Sequence, residues 1–392
     1  MLPYRVLAVA LLAFATPIFV PASSGADPVN SGFAVPERDS FYAPPADLGS
    51  YSLGGLINSR AITTSLRVPV SAWQLAFRSN DSRDQPRLAV TTVLVPLTPW
   101  PGPGPRPAVS VQVAEDSTGA QCAPSYQLAS GGFRGDTVEG LLARNWAVAV
   151  PDHEGPESAF LAGMQAGHTV LDGLRAIEQF GAADLGPDTR WGLTGYSGGG
   201  FATAWAAQLQ PGYAPELTFA GAAIGGLPAD LPVVAANVDG SLFAGFGFGA
   251  MVGLRREFPE ADIDSVLNDR GRADLARADG KCMLELLANF PFQSVAAGTA
   301  LADPWHDPRL ITVLQHNSLG EGAPVMPIYS YHSMADEVVP VGQDDDLVRT
   351  WRGRDADIVI VRDPVGTHAQ EASKGQAGAD DYLAGRFAAV PR

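Results

Sequence analysis

Apolar positions along the chain follow two rhythms. Residues 72–77, 89–95 and 108–113 are short apolar-rich runs of strand length, and the Pro- and Gly-crowded stretch 97–107 reads as a loop. Residues 136–145 look helical, and 146–150 is a short buried-type strand ending at Pro151 and Asp152. Val170, Leu171, Leu174 and Ile177 recur at the spacing of one helical face, which predicts an amphipathic helix over 169–180. Residues 191–194 read as a strand that enters a Gly-rich turn and then an Ala-rich helix to Gln210, where Pro211 is expected to stop it. The next strand is 219–223. Strands alternating with helices predict a mostly parallel sheet covered on both faces, an α/β fold.

Between 231 and 322 that rhythm fails. The stretch is helix-rich, with a Gly/Phe run from Phe243 to Gly249 near its start. Alternation resumes with a strand at 325–331, a helix near 344–351 and a strand at 358–361. An insertion into one sheet explains this better than a second domain. The expected layout is a segment 1–26 excluded from the fold, a core of 27–230, an inserted helical cap of 231–322, and the rest of the core at 323–392. The core opens on a Pro-rich stretch, 27–59, read as an arm lying on the surface.

Composition narrows the partners. Of 392 residues, 46% are hydrophobic, enough for one large core plus an insertion. A formal net charge of −16 repels phosphate backbones, so no nucleic-acid partner is expected, while a neutral substrate is compatible. Arg5, the apolar run 6–20, and the small residues Ser24, Gly25 and Ala26 have the layout of an export signal cleaved near Ala26. The run is short for a membrane span and is broken by Pro17. The expected location is therefore extracellular or cell-wall associated. In an exported chain the two cysteines, Cys122 and Cys282, either pair as one disulfide or stay as buried thiols.

The strongest chemical signal is Gly195-Tyr196-Ser197-Gly198-Gly199, with a strand before it and a small-residue helix after it. This fits the nucleophile elbow of the α/β-hydrolase fold, in which a sharp turn lifts a serine hydroxyl above the sheet edge at a helix N-terminus. Serine is a weak nucleophile until a base and an orienting acid converge on it, in the chain order Ser, Asp or Glu, His. His368, in a loop after the last strand, stands where the base belongs; His332 is the reserve, but its place at a strand end suits a structural hydrogen-bonder better. Asp336, just beyond the preceding strand, is chosen as the acid over Glu337 and Asp344. The run Asp344 to Asp346 is explained as a solvated helix start, where carboxylates meet the dipole, and Asp363 by turn initiation before Pro364.

These residues, together with Asp39 to Pro45, Glu115 to Ser117, Cys122 to Tyr126 and Val150 to Pro156, resemble the secretory lipase family over most of the chain. The resemblance implies a triad of Ser197, Asp336 and His368 and a helical cap supplied by the insertion. It also implies an oxyanion hole made of the Asp116 side chain and the Gly198 N–H. A carboxyl donates a hydrogen bond only when protonated, so Asp116 would need a pKa raised by burial. Cys122 and Cys282 match a family disulfide. The family position matching His153 is often aromatic, so the substrate wall is expected to differ there. The function implied is hydrolysis of carboxylic esters, lipid or small-molecule, with transient contact at a lipid–water interface. No metal or organic cofactor is expected. An acyltransferase or peptidase using the same triad, and a non-catalytic binding protein, are the rival readings. The Gly/Phe run would then line an acyl tunnel or form a flap, or be a packed loop.

Overall fold

A computed structural model of the chain describes residues 34–133, 135–181 and 185–389; the expected export signal, 1–26, lies outside the described residues. Among the described residues, nine strands form one sheet. They are β1 (Leu56–Ile62), β2 (Val70–Asn80), β3 (Pro86–Pro96), β4 (Ala108–Gln112), β5 (Ala147–Pro151), β6 (Arg190–Tyr196), β7 (Thr218–Gly225), β8 (Ile328–Ser333) and β9 (Ile358–Asp363). Their spatial order is β1-β2-β3-β5-β4-β6-β7-β8-β9. Pairing is antiparallel from β1 through β3 to β5, and parallel from β5 to β9. Every residue of β4 and β5 is buried, as a parallel strand covered on both faces requires.

Two helical layers do the covering. Helices α1 (Pro124–Ser130) and α2 (Asp136–Ala143) lie on one face; α3 (Gly163–Phe180) and α4 (Gly198–Tyr213) lie on the other, where Val170, Leu171, Leu174 and Ile177 enter the core as their spacing predicts. Between β7 and β8 come five helices: α5 (Leu231–Val238), α6 (Ala244–Glu257), α7 (Asp269–Ala278), α8 (Met283–Asn289) and α9 (Pro308–His316). They pack on apolar clusters of their own, one around Phe248, Leu275 and Phe290 and one around Leu254, Phe258 and Val313. After β8, α10 (Val341–Arg352) joins the α3 and α4 face through Leu347 and Trp351. The chain ends in α11 (His368–Lys374) and α12 (Gln376–Ala388), the latter burying Ala379 and Leu383 on the α1 and α2 face. This is the α/β-hydrolase arrangement. The Cys122–Cys282 disulfide ties the turn after β4 to the start of α8, spanning 160 residues. A loop of that length is worth about 4–5 kcal/mol by the chain-entropy argument.

Three local expectations change. The arm 27–59 was expected to be irregular to its end, but β1 begins inside it, pairing Leu56 with Phe77 and Ile62 with Ala72. As an edge strand with Asn58 and Ser59 both exposed, it shows no alternation to read. Helix α4 continues past Pro211 to Tyr213, and the Gln210 side chain closes its end by donating to the carbonyls of Ala214 and Leu217. The Gly/Phe run is helical rather than a loop: from Ala244 onward it is the start of α6. Its glycines disfavour a helix, but Gly245 abuts the backbone of Leu286 so closely that a Cβ would overlap it, and the packing of α6 on α8 decides the outcome.

Candidate active site

Strand β6 delivers Tyr196 to the sheet edge, and the chain then reverses at Ser197 with φ 56° and ψ −124°. That left-handed conformation is strained for a residue with a side chain. It is held by hydrogen bonds from Ser197 N to Gly225 O (2.9 Å) and from Phe201 N to Ser197 O (2.8 Å). The elbow glycines are there for space. A Cβ at Gly195 would overlap the backbone of Gly199, and one at Gly198 would overlap the carboxyl of Asp116.

Ser197, His368 and Asp336 meet. The Ser197 hydroxyl lies 2.8 Å from His368 Nε2, and His368 Nδ1–H donates to Asp336 Oδ2 at 2.6 Å. His368 opens α11, whose Thr367 and Gln370 form a capping box; the His368 N–H donates to Glu337 Oε2 at 3.0 Å. Tyr196 OH donates to the His368 carbonyl at 2.8 Å. Asp336 Oδ1 accepts the N–H groups of Val338 (2.9 Å) and Val339 (2.7 Å), so the tight turn after β8 itself holds the carboxylate. Burial alone would raise the Asp336 pKa; the hydrogen bonds from His332 and His368 outweigh it and keep the group well below the ordinary carboxylate range.

His332 is not a rival base, because it is fully buried behind the acid. Its Nδ1–H donates to Asp344 Oδ2 (3.1 Å), and its Nε2–H is shared between Val339 O (3.0 Å) and Asp336 Oδ2 (3.2 Å). Burial opposes its charge, but the bonds to Asp336 and Asp344 push its pKa up to about 9. Asp344 therefore is not a solvated helix-start carboxylate. It is buried and also accepts from Ser330 and Arg362, because β8 and β9 place those donors beside it. Asp363 does accept the N–H of Val365, as turn initiation requires.

On the other side of Ser197 runs the loop after β4. Asp116 sits there with φ 46°, buried, its Oδ1 against Gly198 and without a hydrogen-bond partner. Burial pushes its pKa up to about 7. The neighbouring Ser117 N–H is 3.2 Å from both Glu154 carboxyl oxygens. Thr118 anchors the loop to the inserted helices, its N–H donating to Lys281 O at 2.9 Å and its hydroxyl to Ala278 O at 2.6 Å. The Arg256 guanidinium donates to the Thr118 carbonyl at 2.9 Å. His153, expected near a substrate wall, is buried with Nε2–H donating to Val113 O at 2.8 Å; burial lowers its pKa to about 4, so the ring is neutral. The structural hydrogen bonding expected of His332 is what the structure shows, with Asp344, Val339 and Asp336 as its partners, whereas sequence reasoning gave Glu154 no separate part. The signal for Glu154 was three consecutive titratable residues, Asp152, His153 and Glu154, at the end of a buried strand.

An apolar cavity opens between α5, α6 and α9, lined by Leu231, Val234, Phe246, Met251, Trp305 and Leu310 among others. Val234 and Val238 in its wall pack on Val338 and Val339, the two residues whose N–H groups hold Asp336.

Residues 135–392 match the family described as secretory lipase. Lipase 5 of Candida albicans is 31% identical, the match covering 92% of this chain and 83% of that protein. A secreted triacylglycerol lipase of Malassezia restricta is also 31% identical, covering 83% and 73%. Among solved structures, Candida antarctica lipase A superposes with a TM-score of 0.84 at 27% identity, covering 92% of this chain and 88% of that one. The chain belongs to the secretory lipase family, α/β-hydrolases that cleave carboxylic esters.

Proposed function

We propose that Ser197 is the nucleophile of this lipase, with His368 as its base and Asp336 as the group that orients and charges the imidazole. The carrying observation is the unbroken relay from the Ser197 hydroxyl through His368 to Asp336, at 2.8 and 2.6 Å. The ionised Asp336 fixes the proton on His368 Nδ1, leaving Nε2 free to take the serine proton as Oγ attacks the ester carbonyl. The oxyanion that forms is received by the Gly198 N–H at the start of α4 and by the protonated carboxyl of Asp116, at about 3–4 kcal/mol per donor in comparable sites. His368 then protonates the leaving alcohol. Water, deprotonated by the same ring, releases the acid from the acyl-serine.

The apolar cavity beside Val338 and Val339 is our candidate for the acyl chain, with residues 231–322 acting as a cap that walls it. Phe246 and Gly247 of the Gly/Phe run contribute to that wall. Residues 1–26 are read as an export signal; the check is an N-terminus at Asp27 in protein recovered from the culture medium. For the catalytic reading, p-nitrophenyl esters of graded acyl length are the substrates. Hydrolysis is expected to favour medium to long chains and to vanish in Ser197→Ala. Activity retained in that variant rejects the assignment, and a strong preference for acetate or for amides turns the substrate reading toward an esterase or a peptidase.

A further inference from the structure

Close to Asp116 lie three more buried carboxyls, Glu115 in the same loop and Glu154 and Asp152 after β5. They are supplied with donors very unequally. Glu154 receives the Ser117 N–H on both oxygens at 3.2 Å. Asp152 receives the Ser125 N–H at 2.8 Å and the Ser125 hydroxyl at 2.5 Å. Glu115 Oε2 and Asp116 Oδ1 have no hydrogen-bond partner. The Ser117 hydroxyl lies 3.1 Å from Glu154 Oε2 and 3.3 Å from Glu115 Oε1. A hydroxyl has one proton to give. Sharing that proton weakens both contacts, and two full hydrogen bonds form when one of the two glutamates is itself protonated and donates to the Ser117 oxygen. Glu154, already facing an N–H, is the one suited to be the anion, and Glu115 the one to carry the proton.

We propose that Glu154 is a positioning residue for the oxyanion carboxyl: as the anion of this buried group, held by Ser117, it keeps the proton on Asp116. The proposal rests on the reading of Asp116 as an oxyanion donor. Ionising Asp116 would set a second negative charge beside the first in a site walled from water, where like charges repel most strongly. The other groups facing the loop do not relieve this. Arg256 and Lys281 of the inserted helices pair with Asp279 and Glu285. His153 is neutral and turned to Val113 O, and His368 is engaged with Asp336. Among the described residues, no group of His, Cys, Asp and Glu is arranged to hold a metal ion. Burial pushes Glu115 and Glu154 up as it does Asp116, Glu115 further through Glu154 and Asp152, and Glu154 further through Asp116. Repulsion between Asp116 and Glu154 opposes the ionisation of both alike; the Ser117 donors, which Asp116 Oδ1 lacks, are what place the charge on Glu154.

The test is the pH dependence of kcat/KM on p-nitrophenyl butyrate for the full-length enzyme and three variants. Wild type is expected to lose activity as pH rises and Asp116 ionises. In Glu154→Gln that alkaline limb moves down by about one unit, so the ratio of activity at pH 8 to that at pH 5 falls roughly tenfold. Ser117→Ala, which withdraws the hydroxyl from Glu154, moves the limb the same way by less. Asp116→Asn carries an amide donor that does not titrate, so the limb disappears. An unmoved limb in Glu154→Gln, with Asp116→Asn abolishing it, overturns the proposal and leaves Asp116 as the donor. A wild-type limb persisting in Asp116→Asn overturns the oxyanion reading itself. If Glu154→Gln does not fold, as judged by circular dichroism, Ser117→Ala decides alone, and an unmoved limb there overturns the proposal.

Discussion

Two aspartates flank Ser197, and the carboxyl groups of both are buried, yet they have opposite characters. Asp336 is met by the His368 and His332 rings and by two backbone N–H groups, and its pKa is held far below normal. Asp116 offers Oδ1 to Gly198 with no donor facing it, and burial lifts its pKa to about 7. Desolvation disfavours the charged form of both groups. What separates them is the supply of donors: four hydrogen bonds more than repay the desolvation of one carboxylate, while Oδ1 of the other has none. On the proposed mechanism, one site therefore holds an anion that stabilises a cation and an acid able to stabilise an anion, from the same residue type.

The largest effect is expected where that contrast is broken on the anionic side. Asp336→Asn leaves the shape of the turn after β8 intact but removes the charge that fixes the His368 tautomer. An amide NH₂ aimed at Nδ1 would drive the proton to Nε2, where it blocks attack by Ser197. A fall in kcat of about 10³–10⁴-fold is expected, with KM changed little. Single-turnover kinetics on a soluble ester checks it. A loss under tenfold would mean that the ring is oriented without Asp336.

The same substitution at the two positions should also act oppositely on stability. Asp116 goes from an ordinary 3.8 to about 7 on folding. Between those values the folded chain holds a proton that the unfolded chain has lost, so stability falls as pH rises through that window and is flat above it. Asn has no such proton to lose. Asp116→Asn is expected to be more stable than wild type at pH 8, by roughly 2–4 kcal/mol, with the gain shrinking to nothing near pH 4. Asp336 has its pKa depressed, so its contribution is present above its unfolded value and is lost as pH falls. Asp336→Asn is expected to lower the Tm at pH 8. Thermal melts of both variants at pH 8 and pH 4.5 test the pair; Tm shifts of the same sign at pH 8 would refute the donor argument.

How much of this could be read in the chain follows the range of the interactions. The elbow is local: five residues between a strand and a helix state their own geometry. Strands β4 and β5 were visible because burial on both faces makes them almost continuously apolar. Edge strand β1 was not, since only Ile62 in it is buried. The helical form of the Gly/Phe run was hidden because Gly245 and Gly249 are explained by contact with Leu286, a residue far along the chain. The raised pKa of Asp116 could be stated as a requirement of the chemistry. Its physical source, burial with no donor to Oδ1, depends on how the loop after β4 packs against distant segments, as in the contact between Ser117 and Glu154 across 37 residues. The buried role of Asp344 was missed for the same reason, its partners Ser330 and Arg362 lying on two different strands.

The finest test removes one donor from Asp336 and leaves the rest. His332 is charged in the folded protein, its two N–H groups directed to Asp344 on one side and to Asp336 and Val339 O on the other. In His332→Asn the carboxylate keeps His368 and both backbone donors, so the relay survives with a less stabilised anion. A loss in kcat of about tenfold, ~1.4 kcal/mol, is expected, with the dependence on Ser197 unchanged. The pH signature separates this from simple unfolding. His332 rises from an ordinary 6.5 to about 9 on folding, so its stabilisation is complete below the unfolded value and is lost as pH climbs toward 9. The Tm deficit of His332→Asn relative to wild type should therefore be largest at pH 6 and narrow by pH 9. A deficit constant across that range would mean that His332 only fills space behind Asp336, and the donor count that distinguishes the two aspartates would drop by one.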